Sequence, residues 1–188
     1  GIVFPSIQVR VIDPDTLVDV EPGEVGELIV KGPGCSPGYW RDQVETDLLF
    51  TPDHWLRTGD LVEEHDGFLK MSDRRKELII ISGFNVYPSV VEAAIATMPQ
   101  VAEVAVVGIP DQADPARGEQ VHAAVVLNPG ASLNLDKIRA WVSDTLPRYA
   151  IPRSVSFPEQ LAHNELGKIQ RRKVRQSVLE RLSEGFRM

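Results

Sequence analysis

WLRTGDLVEEHDGFLKMSDRRKELIIISGFN, residues 55–85, decides how the rest of the chain is read. Arg57-Thr58-Gly59-Asp60 reads as a turn that carries an acid. Asp66-Gly67 is the dipeptide that best tolerates the positive φ values of a two-residue hairpin, so a short hairpin is expected there. The charged run Asp73-Arg74-Arg75-Lys76-Glu77 follows, and then a purely apolar segment, Leu78 to Ile81, which reads as a buried strand. At Ser82-Gly83 a residue without a side chain lets the backbone turn freely or lets another molecule come close. An acid, several cations, a buried strand and a glycine within thirty-one residues have the character of a site. The sequence changes pattern across it.

Upstream, residues 7–13 (IQVRVID) alternate at strand period. Glu21-Pro22-Gly23-Glu24 has the Pro-Gly centre of a type II turn, and residues 26–32 (GELIVKG) form a second strand. Asp42 to Phe50 reads as a short helix. Downstream, Ser89-x-x-Glu92 has the form of a capping box, with Pro88 at a helix start. Two Val-rich strands, residues 101–109 and 120–127, flank a polar loop, and a helix over 135–146 places Leu135, Ile138, Trp141, Val142 and Leu146 on one face. A short strand near residues 154–157 and a last helix from about Arg171 complete the pattern. The expected fold class is α+β: a small β-rich unit over residues 1–75, then a compact α+β domain over residues 76–188.

Composition narrows the function. Of 188 residues, 43% are hydrophobic and 25% charged, as in ordinary globular proteins. A net charge of −7 disfavours nucleic acid as a partner. The single cysteine, Cys35, excludes an intrachain disulfide and fits the reducing cytoplasm. No apolar run has membrane-spanning length, so no transmembrane segment is expected. The four histidines lack metal-ligand spacing, and no metal site is expected in this chain. Five of the eight residues from Lys168 to Arg175 are basic, which suits either a phosphate-facing patch or a solvated helix face. Gly1-Ile2-Val3-Phe4-Pro5 reads as mid-protein sequence, so the chain is expected to be a piece of a longer one.

Four motifs in order carry a resemblance. Residues 56–61 (LRTGDL), the Gly26-Glu27-Leu28…Gly38-Tyr39 pair, the run Asp73–Glu77 with Ser82–Pro88, and residues 164–169 (NELGKI) are similar to motifs of the adenylate-forming superfamily. That group includes acyl-CoA synthetases, luciferases and peptide-synthetase adenylation domains. The sequence departs from the family pattern at Asp73, where glycine is frequent, and at Glu77, where aspartate is usual. It also departs at Asn85, where many relatives have arginine, and at Ala162-His163, where a proline is missing.

The resemblance implies the end of an N-terminal AMP-binding domain followed by the mobile C-terminal domain of such an enzyme, in the form of a long-chain fatty-acid-CoA ligase. It implies a ligase that uses a carboxylic acid, ATP and coenzyme A, passes through an acyl-adenylate, and yields AMP. Mg²⁺ would be held mainly outside this chain. Asp60 would bind the ribose diol, although an Asp after Gly also commonly caps backbone amides. Arg74 would be a second nucleotide ligand, Lys168 the catalytic lysine of adenylation, Gly83 part of the coenzyme A channel, and Lys76 the hinge. The missing N-terminal domain would be the main partner, with a homo-oligomer through the exposed β unit as another. Transfer to a carrier protein instead of coenzyme A, and a non-catalytic binding module, are the alternatives.

Overall fold

The alternation in residues 7–13 becomes strand β1, Gln8–Ile12, in the computed structural model, which describes residues 1–185. β1 pairs antiparallel with β2 (Val25–Lys31), β2 with β3 (Leu56–His65), and β3 with β4 (Phe68–Arg74), an up-and-down sheet in chain order. Turn chemistry sets the joints. Gly23 at φ +90 and the Glu24 N–H donated to the Glu21 carbonyl (3.0 Å) form the expected turn, and Asp66 and Gly67 at φ +50 and +78 form the hairpin. The short helix α1, Gln43–Leu49, is capped by Asp42, whose carboxylate accepts the Glu45 N–H at 3.0 Å.

Arg57-Thr58-Gly59-Asp60 is not a turn. It lies inside β3 as a bulge: Ile29 faces Arg57 and Glu27 faces Leu61, so two steps of β2 oppose four of β3. Gly59 at φ +71 provides the kink. The Glu27 carboxylate, 2% exposed, lies under this bulge. It accepts from Arg57 Nε at 3.3 and 3.2 Å and from Arg57 Nη2, with Arg75 Nη1 at 3.6 Å. A nearly dry carboxylate thus holds two guanidinium groups far apart in sequence.

The chain divides into two compact units, Gly1–Lys76 and a second that begins at Glu77, with the division inside the 3₁₀ turn Arg75–Glu77. In the second unit β5 (Ile79–Ile81) and β6 (Phe84–Val86) form a hairpin, followed by α2 (Pro88–Ala96). A sheet of β7 (Val101–Pro110), β8 (Glu119–Leu127) and β9 (Ser154–Ser156) carries α3 (Leu135–Val142) in its β8–β9 crossover, and α4 (Arg171–Gly185) ends the unit. β7 and β8 are apolar on both faces because both faces are covered. Val104, Val106, Val121, Ala123 and Val125 pack with Ile79, Val91, Ile95, Ile138 and Val142, whereas Ala105, Val107, Ile109 and Ala124 pack with Val174 and Val178 of α4.

Three local expectations change. The apolar strand is half-exposed: Ile79 and Ile81 are buried, but Ile80 between them points outward, as strand alternation requires. The helix does not start after Ser89: α2 begins at Pro88 with Tyr87 as N-cap, and the Glu92 carboxylate binds Val106 N–H and Arg171. On α3, Ile138 and Val142 are buried, whereas Trp141 is exposed and donates its indole N–H to Thr97 Oγ1 at 2.9 Å.

Two stability predictions follow from buried groups. Glu27→Ala leaves Arg57 without its counter-charge, and breaking a buried pair from one side costs about 3–5 kcal/mol. Denaturant-dependent hydrogen exchange of the β2 and β3 amides should show that loss, and a change below about 1 kcal/mol would contradict it. His122 is buried between Ser154 Oγ (2.8 Å) and Ser156 Oγ (2.9 Å), and burial lowers its pKa to about 4. The unfolded chain therefore takes up this proton first. The contribution is complete above the ordinary value near 6.5 and is lost as pH falls toward 4, on the order of 3 kcal/mol in all. His122→Asn should flatten the stability curve across that window relative to the parent, and parallel curves would refute the assignment.

Candidate functional site

The bulge in β3 presents Asp60, and the register of β3 with β4 places Arg74 directly opposite. Thr58 supports the arrangement: its hydroxyl donates to the Leu28 carbonyl at 2.7 Å and accepts the Asp60 N–H at 3.1 Å. Arg74 Nε lies 3.1 Å from Asp60 Oδ1. This is charge proximity without hydrogen-bond alignment, for Oδ1 is buried and lacks a hydrogen bond among the described residues. A buried carboxylate oxygen without a donor is rare in folded proteins and calls for an explanation. Arg74 itself is mostly exposed, with its fork of donors turned to solvent.

Gly83 is at the tip of the β5–β6 hairpin. Ser82 and Gly83 both have positive φ, +50 and +84, and a Cβ on Gly83 would meet nothing within 4 Å. Conformation thus requires the glycine, and the space in front of it is open. Lys168 lies on a separate loop just before α4, closed by Asn164. The Asn164 carboxamide oxygen accepts the Leu166 and Lys168 N–H groups at 3.0 and 2.9 Å, and Gly167 takes φ +75. The Lys168 side chain is exposed, and among the described residues its ammonium has no ion-pair partner. The structure thus brings Asp60 and Arg74 together in the first unit and carries Gly83 and Lys168 on two different loops of the second.

Lys76 is the middle residue of the 3₁₀ turn. On one side Arg75 is tied to Glu27 and, at 3.1 Å, to Asp15 within the first unit. On the other side Glu77 is bound by Arg171 Nη1 within the second. Asp73 and Arg74, the first two residues of the charged run, are part of β4.

Four functional supports were not evident from local pattern. Glu92 accepts Arg171 Nε and Nη2 at 2.8 and 2.6 Å and the Val106 N–H at 2.8 Å. Glu119 accepts from Arg175 Nη2 at 3.2 Å. The basic run 168–175 is therefore mixed: the half-buried Arg171 and the exposed Arg175 brace other elements through carboxylates, and Lys168, Arg172 and Lys173 face solvent. Among the described residues, no group of three or more His, Cys, Asp or Glu side chains could hold a metal ion, and no helix is long and apolar enough to cross a membrane.

Comparison with known proteins shows which family the chain resembles. The AMP-binding enzyme C-terminal domain matches residues 90–168, and the AMP-binding enzyme family model matches residues 1–40. A long-chain-fatty-acid–CoA ligase of Salmonella typhimurium is 41% identical over 93% of this chain and 30% of its own length. Among solved structures, ATP-bound MatB from Rhodopseudomonas palustris superposes with a TM-score of 0.87 at 35% identity, covering 94% of this chain and 35% of that one. The amide bond synthetase McbA from Marinactinospora thermotolerans gives 0.82 at 37% identity, covering 95% and 35%. The chain spans about 30% of the length of the curated ligase it matches. The α+β architecture, the four motifs and these similarities agree: the chain belongs to the AMP-binding, adenylate-forming enzyme family and carries its C-terminal domain.

Proposed function

We propose that this chain completes the active site of an acyl-CoA ligase, with residues 1–75 the end of its AMP-binding domain and residues 76–188 the mobile C-terminal domain. In the first half-reaction a carboxylate oxygen of the acid attacks the α-phosphorus of ATP. A carboxyl–phosphate bond forms, the bond to the β-phosphate breaks, and pyrophosphate leaves. In the second, the coenzyme A thiol gives up its proton, its sulfur bonds to the acyl carbon, and AMP leaves with the bonding pair of the acyl–oxygen bond.

The observation that carries the reading is the buried Asp60 Oδ1, which lacks a hydrogen bond among the described residues, beside Arg74. An ionised carboxylate accepts two hydroxyl donors at once, which suits the ribose diol. Arg74 is placed to reach ribose or phosphate oxygens with its planar donors. Lys168, on a loop fixed by Asn164 and without an ion-pair partner among the described residues, can set its ammonium where negative charge builds between carboxylate and phosphate. Gly83 leaves room for the pantetheine arm. Mg²⁺ travelling with ATP is assigned to the phosphates and to residues outside this chain.

The similarity to a long-chain fatty-acid ligase supports a fatty acid as the acyl donor. The comparable similarity to an amide bond synthetase supports a second reading, in which the same adenylate passes to another nucleophile, including a carrier-protein thiol. Use of ATP and coenzyme A together with a single free thiol suits the cytoplasm. The exposed Tyr39, Trp40, Val44 and Leu48 form an apolar surface of the kind that meets a partner, here the rest of the AMP-binding domain. It lies around α1 rather than on β1 and β2, which are half-buried.

The test is made in the full-length protein containing this chain. Lys168→Ala should lower ATP–pyrophosphate exchange by at least about a hundredfold while presupplied acyl-adenylate and coenzyme A still give thioester. Equal loss in both halves would remove Lys168 from its single-step role.

Lys76 is proposed as the hinge. Its neighbours are each tied down, Arg75 to Glu27 and Glu77 to Arg171, so torsional change concentrates at the residue between them. Proline fixes φ near −65° and restricts the residue before it. Lys76→Pro should keep pyrophosphate exchange and collapse overall thioester formation. Wild-type rates for both would place the hinge elsewhere.

A further inference from the structure

The β5–β6 hairpin that carries Gly83 has only three residues in each strand, too little to hold a turn by itself. Its position is set from outside by the corner at residues 117–119. The Ser82 N–H donates to the Arg117 carbonyl at 2.9 Å, and Ile81 forms an antiparallel bridge with Gly118. The third tie is a side chain: Ile80 N–H donates to Glu119 Oε2 at 3.3 Å. The other oxygen of that carboxylate accepts Arg175 Nη2 at 3.2 Å, while Arg175 Nε donates to the Gly108 carbonyl at 2.7 Å. Glu119 thus joins the hairpin to the second turn of α4. Room for it comes from Gly108, where a Cβ would stand 2.7 Å from Oε2.

The corner is itself braced. Asp111, almost fully buried, accepts the Ala113 and Asp114 N–H groups, each at 3.1 Å, and lies 3.6 Å from Arg117 and 3.4 Å from Arg153. Lys168 is held differently, by its Asn164 loop and by the Arg171 to Glu92 pair at the start of the same helix. The two loops therefore have separate carboxylate supports.

We propose that Glu119 is a positioning residue for the thiol step, fixing the Gly83 turn against the 117–119 corner without touching substrate. The proposal rests on the reading of Gly83 as part of the coenzyme A channel. Without the carboxylate, Ile80 loses a charge-assisted hydrogen bond on its outer edge, and the turn samples positions that narrow the path of the thiol arm. Adenylation, which depends on the Lys168 loop, should proceed.

The experiment uses the full-length protein with Glu119→Ala, Glu119→Gln, Gly108→Ala and Gly83→Val measured in parallel. Glu119→Ala should raise the KM for coenzyme A about tenfold, leave ATP–pyrophosphate exchange within about twofold, and speed amide exchange at Ile80. Glu119→Gln keeps an acceptor for Ile80 and should recover most of the KM. Gly108→Ala, which crowds the same carboxylate from behind, should reproduce part of the defect. If Gly83→Val raises the KM and Glu119→Ala does not, the role of Glu119 is overturned while the channel reading survives. If Gly83→Val has no effect on coenzyme A, the channel reading falls and takes this proposal with it. Equal losses in both half-reactions, or faster Ile80 exchange at unchanged KM, would reduce Glu119 to a structural brace.

Discussion

A carboxylate withdrawn from water and held by guanidinium groups is the interaction on which each unit depends. Glu27, in the second strand, binds Arg57 at the start of the bulge and approaches Arg75 at the end of the unit. Neither charge can be left alone at that depth, because the desolvation of an ion is tolerable only with a close partner and filled hydrogen bonds. The pair therefore fixes more than its own contact. It determines where β3 leaves regular pairing, and hence where Asp60 stands, and it fixes the last side chain before Lys76. Glu92 has the corresponding position in the second unit, where Arg171 joins α2 to the first turn of α4 and also reaches Glu77.

Around these fixed points the candidate site residues occur at backbone irregularities. Gly59 kinks a strand, Ser82 and Gly83 form a turn with two positive φ values, and Gly167 bends the loop before Lys168. Ser82 is the informative one, since a residue with a side chain is uncommon in the left-handed region. Such conformations persist where the surroundings over-determine them. Ser82 meets that condition through its N–H bond to the Arg117 carbonyl, and Gly167 through the flanking Leu166 and Lys168 amides gathered by Asn164. Rigid elements supply the anchoring, and the exposed loops supply the groups that can meet a ligand.

Legibility in the sequence followed the range of the interaction. Strand alternation in 7–13, the Pro-Gly turn, the Asp-Gly hairpin and the short helix after Asp42 are decided within a few residues, and the structure has all of them. Arg57–Asp60 has the local pattern of a turn because Gly59 signals a break without saying whether a partner strand continues past it; β2 does. Glu92 has the spacing of a capping residue from Ser89, whereas its partners Val106 and Arg171 lie 14 and 79 residues away. The basic run at 168–175 misled in the same manner: Arg175 finds Glu119 across 56 residues, which no local window contains. The motif residues are named through the family resemblance. The acids that hold them in place could not.

The division of supports also bears on how one domain could serve two reactions. Arg171 and Arg175 are one turn apart on α4, one bound to Glu92 and Glu77, the other to Glu119 and the Gly108 carbonyl. Both the loop ahead of the helix and the hairpin beyond Glu119 are thereby referred to a single rigid element packed on β7. Moving one loop alone would strain or break a guanidinium–carboxylate pair, at a cost that is small for the solvent-screened Arg175–Glu119 pair and larger for the better shielded Arg171–Glu92 pair. Turning the whole unit breaks none of them. Under the proposed two-step chemistry, exchange of Lys168 for Gly83 is therefore cheaper by rotation at a peptide segment outside the braced framework, and Lys76, between two tethered neighbours, is the segment we propose for it.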